Sequence, residues 1–201
     1  MNAATHAHPA RLTIDYPDRE LNRLSTLLRP IYVLPIAVVI GLIGATESGG
    51  AIAGGMLVLP ALLMILFRQK YPRWWFDFNL QLARFGTRVV AYLALMSDRY
   101  PSTDEEQSVH LDLDYPDAGQ DLNRWMPLVK WLLAIPHYVA LCFLAIAATV
   151  AVMGAWLAVL FTGRYPKALF HFVEGVLRWS LRVQAYALLL VTDRYPPFSL
   201  A

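Results

Sequence analysis

The chain has little charge and a single cysteine, and both shortages exclude classes of protein. Charged residues make up 16% of its 201 residues, against about a quarter in soluble domains, while 57% are hydrophobic. A net charge of +2 is too small to favour a nucleic-acid partner. Cys142 alone excludes an internal disulfide and a CxxC metal site. The composition therefore predicts a chain that faces lipid.

Catalytic and cofactor motifs are also missing. The sequence contains no Gly-x-Ser-x-Gly, no P-loop and no dinucleotide fingerprint. Neither His137 nor His171 has a second histidine at the spacing of an HxxxH metal site. We therefore predict no metal, no cofactor and no enzymatic activity. The first residues lack the apolar core of a signal peptide, so the N-terminus is expected in the cytoplasm.

Tyr-Pro occurs six times, which indicates an internal repeat, because ten tyrosines and thirteen prolines would give roughly 0.6 by chance. Two copies align: "LTIDYP" with "LDLDYP", "LNRLSTLLRPIYVLP" with "LNRWMPLVKWLLAIP", "YPRWWFDF" with "YPKALFHF", "LARFGTRVVAY" with "VLRWSLRVQAY" and "SDRYP" with "TDRYP". We predict repeat 1 at residues 11–101 and repeat 2 at residues 110–196, joined by an acidic linker at 102–109. Residues 1–10 are expected to form a disordered tail and residues 197–201 a C-terminal tail.

Each copy is predicted to contain a short strand, a transmembrane helical hairpin and an interfacial amphipathic helix. Alternating apolar residues in "RLTID" and "VHLDLD" indicate the strands. The apolar block Pro30–Phe67 carries one charge, Glu47, inside the turn-forming "GATESGG", which divides the block into two stretches near the length of a span. The uncharged block Trp131–Phe161 has no turn signal, so its bend is placed near Ala147–Thr149 by alignment; one long buried helix is the alternative. The predicted fold is an α-helical integral membrane protein with two tandem repeats and four spans in total.

The segment Trp74–Ser97 and its equivalent in repeat 2 have two interpretations, a third span or a helix outside the bilayer core. Arg84 and Arg88, with Arg178 and Arg182 at matched positions, form a narrow stripe that would be costly in lipid. We therefore predict helices in the cytoplasmic interface, while a helix lodged between others stays an alternative. Five aromatic residues are predicted to anchor these helices: Trp74, Trp75, Tyr92, Trp179 and Tyr186.

Basic residues flank the bases of both predicted hairpins and are missing from their tips. The positive-inside rule then places both termini in the cytoplasm. An even number of spans per copy relates the two copies by an axis along the membrane normal. The two strands could pair with each other or with another subunit, and the sequence leaves both possibilities open.

The repeated pattern resembles a known family. "YP" followed by "LNR", a proline-bearing apolar block, "RYP", "R...RV.AY" and "DRYPPF" are similar to a bacterial membrane-protein family of unknown function, the DUF4389 group. The resemblance covers nearly the whole chain, which would be a tandem duplication. It implies a bacterial inner-membrane protein and no particular activity.

Charged residues at matched positions are the candidate site residues. Arg84, Arg88, Arg178 and Arg182 are predicted to contact lipid or phosphate, or else to pair with acids of the chain. An acid at the end of a helix opposes the helix dipole unless it is paired, which applies to both Asp-Arg-Tyr-Pro motifs. Asp98 and Asp193 are expected to pair with the adjacent arginine or with one from the other copy. The acids before Tyr-Pro, Asp15 and Asp114, are expected to form salt bridges between strand and helix. The predicted structural ion pairs involve eight residues: Asp15, Arg23, Asp98, Arg99, Asp114, Arg124, Asp193 and Arg194.

The leading functional hypothesis is a multi-pass inner-membrane scaffold or accessory subunit. It would oligomerise, or dock a partner protein, through its cytoplasmic face. The alternative is a protein that binds, senses or transfers anionic lipids, with the four arginines on the headgroups. A small-solute transporter is a weaker alternative, because the predicted spans carry no acid or base near mid-membrane. The expected partners are membrane lipids and either further copies of the chain or another protein.

Overall fold

The chain folds into six helices and one small sheet within the part that the structure, a computed structural model, describes: residues 8–17, 20–36, 53–103, 105 and 107–201. The elements are, in chain order, β1 Ala10–Ile14, α1 Arg23–Tyr32, α2 Ala53–Arg68, α3 Arg73–Leu93, β2 Val109–Leu113, α4 Met126–Leu133, α5 Ile135–Thr162 and α6 Lys167–Ala187. Both predicted strands are present, and the predicted amphipathic segments form α3 and α6. The predicted turn "GATESGG" with Glu47, most of the N-terminal tail and part of the acidic linker lie outside the described residues.

Matched residues start the helices of the two copies. The Oδ1 atom of Asn22 accepts hydrogen bonds from the backbone N–H of Leu24 at 2.9 Å and of Ser25 at 3.3 Å, at the start of α1. Asn123 accepts one in the same way from Trp125 at 2.9 Å. A proline precedes both α3 and α6, where the first helical N–H groups have no partner within the helix. Leu-Asn-Arg in each copy, together with Tyr71-Pro72 and Tyr165-Pro166, thus marks helix starts.

The two strands pair with each other in an antiparallel sheet, which decides between the alternatives that the sequence left open. Leu12 lies opposite Leu111 at the centre of the ladder. These leucines are also matched in the sequence alignment, so a pseudo-twofold axis passes between them. One face of each strand is buried and the other is polar, as the alternating sequence predicts.

Each strand packs on the amphipathic helix of the other copy. β1 lies against α6, and β2 lies against α3. The tyrosine after each strand also contacts the other copy. Tyr16 Oη donates to the backbone carbonyl of Tyr165, and Tyr115 Oη donates to that of Tyr71. The copies are therefore interlocked, and each amphipathic helix is covered by the strand of the other copy.

The prediction of four spans in two hairpins is wrong. Within the described ranges, one helix is long and apolar enough to cross a membrane: α5, which has 28 residues and an 18-residue stretch with a mean hydropathy of 2.3. The bend predicted near Ala147–Thr149 does not form, and Thr149 Oγ1 donates to the carbonyl of Ala145 one turn earlier. Neither glycine nor proline lies between residues 137 and 153, so the helical hydrogen bonding continues to Gly163, whose φ of 73° ends the helix.

The described residues of the first copy contain no helix of this length. There, α2 has 16 residues, fewer than the ~20 that a span needs, and it contains Pro60. The stretch predicted to pair with it falls largely on residues 37–52, outside the described residues. α3 and α6, which are described in full, do not reach the apolarity of a span either.

Candidate functional site

The first arginine of each predicted stripe holds the strand of the other copy. Arg84 Nε donates to the carbonyl of Leu111 at 2.8 Å, and Arg178 Nε donates to that of Leu12 at 3.0 Å. Both the donors and the acceptors are matched between the copies, so the repeat builds the same bond twice. Because arginines occupy these carbonyls, the strands cannot offer them to an additional strand.

Acidic side chains complete the attachment of the sheet. Arg84 Nη2 contacts Asp112 Oδ1 at 2.7 Å. Arg178 Nη2 contacts Glu174 Oε1 at 2.8 Å, and the same oxygen accepts a hydrogen bond from the backbone N–H of Ile14 at 3.2 Å. The two helices thus bind the two edges of the sheet through charged side chains.

The second arginine of each stripe holds the segment that follows Asp-Arg-Tyr-Pro. Arg88 Nη1 donates to the carbonyl of Ser102 at 2.8 Å, and Arg182 Nη2 donates to that of Ala201 at 2.5 Å. Burial and the neighbouring Arg178 lower the pKa of Arg182. All four arginines therefore have partners within the chain. Their contact with lipid or phosphate stays a prediction. It would involve the guanidinium N–H groups that do not take part in these hydrogen bonds.

The acid of each Asp-Arg-Tyr-Pro motif pairs with a buried cation of its own copy. Arg29 Nη2 lies 2.5 Å from Asp98 Oδ1, and Lys130 Nζ lies 2.7 Å from Asp193 Oδ1. Arg29 is 2% exposed and Lys130 is fully buried. Burial lowers the pKa of both cations, and the neighbouring carboxylate opposes the shift. We call these two arrangements the buried ion pairs.

The buried ion pairs connect the beginning of each copy to its end. The second carboxylate oxygen of Asp98 accepts the backbone N–H of Asn22 at 3.2 Å, and that of Asp193 accepts the backbone N–H of Asn123 at 2.6 Å. The Leu-Asn-Arg and Asp-Arg-Tyr-Pro motifs are therefore two halves of one contact, which explains why they repeat together.

Two predicted interface anchors belong to the same contacts. The guanidinium of Arg29 lies 4.5 Å from the ring centre of Tyr92, and the ammonium of Lys130 lies 5.3 Å from that of Tyr186. Both tyrosines are buried, and burial raises the pKa of each. Their positions indicate a packing role within each copy.

The remaining predicted anchors differ in exposure. Trp74 is 69% exposed, whereas Trp75 is half-buried. Trp179 is buried and donates its Nε1–H to His137 Nδ1 at 3.1 Å. Of these three side chains, Trp74 is the most exposed. The predicted anchoring at the membrane interface therefore applies mainly to Trp74, and it stays a prediction.

The acids before Tyr-Pro pair across the sheet instead of with the helices. Arg11 Nη2 lies 2.6 Å from Asp114 Oδ1, and His110 Nε2 lies 3.1 Å from Asp15 Oδ2. These four side chains are more than half exposed, so the pairs contribute little stability. The arginines predicted as partners of the acids are exposed: Arg23, Arg99, Arg124 and Arg194.

A groove of about 600 Å³ lies between the amphipathic helices of the two copies, lined mostly by apolar side chains of α3 and α6. With 3.6 residues per turn, its lining lies on the sides of these helices opposite the arginine stripes. Gly86 of α3 and Ser180 of α6 occupy matched positions in the lining. A Cβ atom on Gly86 would have no neighbour within 4 Å, so the groove is open at this point.

Polar groups in the groove are few and mostly satisfied within their own helices. Thr87 Oγ1 donates to the carbonyl of Ala83 at 2.8 Å. Gln184 Nε2 donates to Ser180 Oγ at 3.2 Å. Asn79 is the other amide in the lining. The groove, with its apolar walls and few polar groups, is the candidate binding site.

Reasoning from sequence missed the groove and the buried cations. Arg29 and Lys130 align in the two copies, and this match was a usable signal, although both residues look like ordinary charges beside an apolar block. The groove has a weaker signal, the small residues at the matched positions Gly86 and Ser180. In the described part of the chain, no three His, Cys, Asp or Glu residues come together as metal ligands.

The chain belongs to the family described as Domain of unknown function (DUF4389), whose model matches residues 23–103 and 124–199. These two segments correspond to the two copies recognised in the sequence. No curated protein and no solved structure matches the chain.

Proposed function

We propose that this protein binds a lipid inside a membrane, with an acyl chain in the groove between α3 and α6. The observation that carries the proposal is the groove itself, an apolar space of about 600 Å³ between the two copies. Its size lies within the ~300–1,000 Å³ of small-molecule sites, and its few polar groups suit a ligand that is mainly hydrocarbon. The role is binding rather than catalysis.

The surface of α5 supports a lipid environment. Only 17% of its most apolar stretch is buried within the chain. Large apolar side chains recur every three or four residues along one side of it, each at least half exposed: Val139, Phe143, Ile146, Val150, Met153, Leu157 and Phe161. An apolar patch of this length is unusual on a protein surface in water. We therefore propose that this face contacts acyl chains.

The bacterial inner membrane is the proposed location, with the sheet on the cytoplasmic side. This orientation rests on the arginines and lysines that flank the apolar segments in the sequence, which the positive-inside rule assigns to the cytoplasmic side. The lipid in this proposal is held by the groove, whereas the sequence alone had favoured the arginine stripes on the other side of α3 and α6.

Replacing Gly86 by Trp is the test of the groove. The indole can enter the groove because a Cβ at this position meets nothing within 4 Å. We expect lipid retained by the purified protein to fall about tenfold or more, measured by native mass spectrometry. Gly154→Trp is the matched control: it also replaces a helical glycine, but on the exposed surface of α5. Equal retention in both variants would contradict the proposal.

A scaffold is the second candidate, and the polar face of the sheet favours it. Arg11 and Asp114 form an ion pair across the two-stranded sheet, to which both copies contribute a strand. Both side chains remain accessible on the surface. If a partner docks there, Arg11→Glu is expected to remove a protein that co-purifies from native membranes, without reducing bound lipid. A chain that purifies alone from native membranes would count against this candidate.

A further inference from the structure

Asn79 is a buried polar side chain of the groove with an unused acceptor. It is 4% exposed, and its Nδ2 donates to the carbonyl of Trp75 at 2.8 Å. Its Oδ1 is buried and accepts no hydrogen bond from any described residue. Buried amide oxygens are nearly always paired, so this atom calls for a donor from outside the described residues, and a ligand in the groove can supply it.

The second copy shows that the fold does not require an amide at this position. Asn79 is matched with Val173, which is buried as well. An apolar residue therefore suits the packing at the equivalent point, and asparagine adds a desolvation cost that packing does not explain. The polar group in repeat 1 is better explained by a ligand.

The neighbouring polar groups of the groove do not pair with Asn79 Oδ1. Gln184 donates to Ser180, and Thr87 donates to the carbonyl one turn before it. A ligand group that only accepts hydrogen bonds, such as an ester carbonyl, would leave the oxygen of Asn79 unpaired. A hydroxyl, an amide N–H or an ammonium would pair with it.

We infer that Asn79 selects lipids that carry a hydrogen-bond donor next to their hydrocarbon chain. This inference rests on the proposed binding of lipid in the groove. The chain of the lipid would lie along the apolar lining of α3 and α6, and its hydroxyl or N–H group would donate to Asn79 Oδ1. Asn79 is then a specificity-determining residue of the groove.

The test compares two probes with the same hydrocarbon chain, hexadecanol and its methyl ether, in which a methyl group replaces the hydroxyl proton; both are added to the delipidated full-length protein. We expect the native protein to bind the alcohol about tenfold more tightly than the ether, as measured by competition against a fluorescent fatty probe. In Asn79→Leu we expect this preference to disappear, while the ether binds at least as well as before. Equal affinity of the native protein for both probes would overturn the inference.

Trp75→Phe is the control for Asn79→Leu. The indole N–H of Trp75 is also buried without an acceptor among the described residues, one turn from Asn79. Trp75 lines a different apolar pocket, with Pro60 and Leu63 of α2. We expect Trp75→Phe to keep the preference for the alcohol, and its loss in this variant alone would assign the selection to Trp75 instead.

Gly86→Trp separates this inference from the proposed function. If it abolishes binding of both probes while the native protein does not discriminate between them, the groove binds lipid and the role of Asn79 is refuted. If neither probe binds the native protein, or if Gly86→Trp binds both normally, the groove is not the lipid site and both proposals fail.

Discussion

Asp193→Ala is expected to destabilise the folded protein by about 3–5 kcal/mol, since it leaves Lys130 buried without its carboxylate. Lys130 is fully buried, and its remaining bond is to the carbonyl of Thr192 at 2.8 Å. A neutral acceptor alone does not compensate for a buried ammonium. Thermal or denaturant unfolding in detergent would measure the loss of stability.

Asp114→Ala is the matched control. It breaks a pair of nearly the same length, 2.6 Å from Arg11, but both side chains are 55% exposed. Exposed pairs contribute about 0–1 kcal/mol, so this variant is expected to unfold almost like the native protein. The double change Lys130→Met with Asp193→Ala is expected to recover much of the stability, because an apolar side chain of similar length removes the buried charge. Equal losses in Asp114→Ala and Asp193→Ala would contradict the assignment of Lys130 as a buried charge.

The pH dependence of Asp193→Ala provides an independent test. Burial lowers the pKa of Lys130 in the folded state, and the variant lacks the carboxylate that opposes this shift. The unfolded chain keeps the ordinary lysine pKa, so between the two values it binds more protons than the folded chain. Stability therefore rises with pH in that window. We expect the deficit of Asp193→Ala to shrink as the pH rises towards the ordinary lysine pKa of about 10.4, and a constant deficit would indicate lost packing instead.

Local sequence signals were sufficient for the strands. Two alternating segments around Leu12 and Leu111 predicted strands, because a period of two residues is typical of a strand with one buried face. Their pairing could not be derived in the same way. It depends on arginines of the other copy, which lie 166 residues from Leu12 and 27 residues from Leu111 along the chain. Spacing within a segment carries no information on such contacts.

The failed hairpin has a physical cause. The bend near Ala147–Thr149 was inferred from the alignment with "GATESGG", and the second copy has no residue there that stops a helix. Alanine, leucine and the other apolar residues of α5 are compatible with a continuous helix, and turn chemistry is needed to end it. The sequence similarity between the two copies therefore predicted the order of helices and strands correctly, but it wrongly predicted a bend within α5.

The groove could not be predicted from the sequence for a different reason. Its walls come from α3 and α6, which belong to different copies, and its width depends on how the sheet holds these helices apart. Amphipathicity correctly predicted one polar and one apolar side on each helix. It could not predict that the polar sides would bind the strands while the apolar sides enclose a space.

Charges in the middle of α5 are expected to have the largest effect on membrane insertion. Ile146→Lys together with Val150→Lys places two charges on its exposed face, where the native residues are 60% and 65% exposed. Each lysine at the centre of a span costs about 2.5–3.5 kcal/mol for insertion, so the pair is expected to shift most of the protein out of the carbonate-resistant membrane fraction. Because both side chains face outward, the internal packing of the chain stays intact.

The position of the charge distinguishes a lipid-facing helix from a helix that only covers other protein. Phe161→Lys lies one residue before the end of α5, at a site that is 79% exposed, where a lysine can reach the polar interface. We expect this variant to remain in the membrane fraction like the native protein. If α5 instead lies in water, the central lysines are expected to increase solubility without releasing the protein from any membrane. That result would remove the lipid environment on which the proposed function depends.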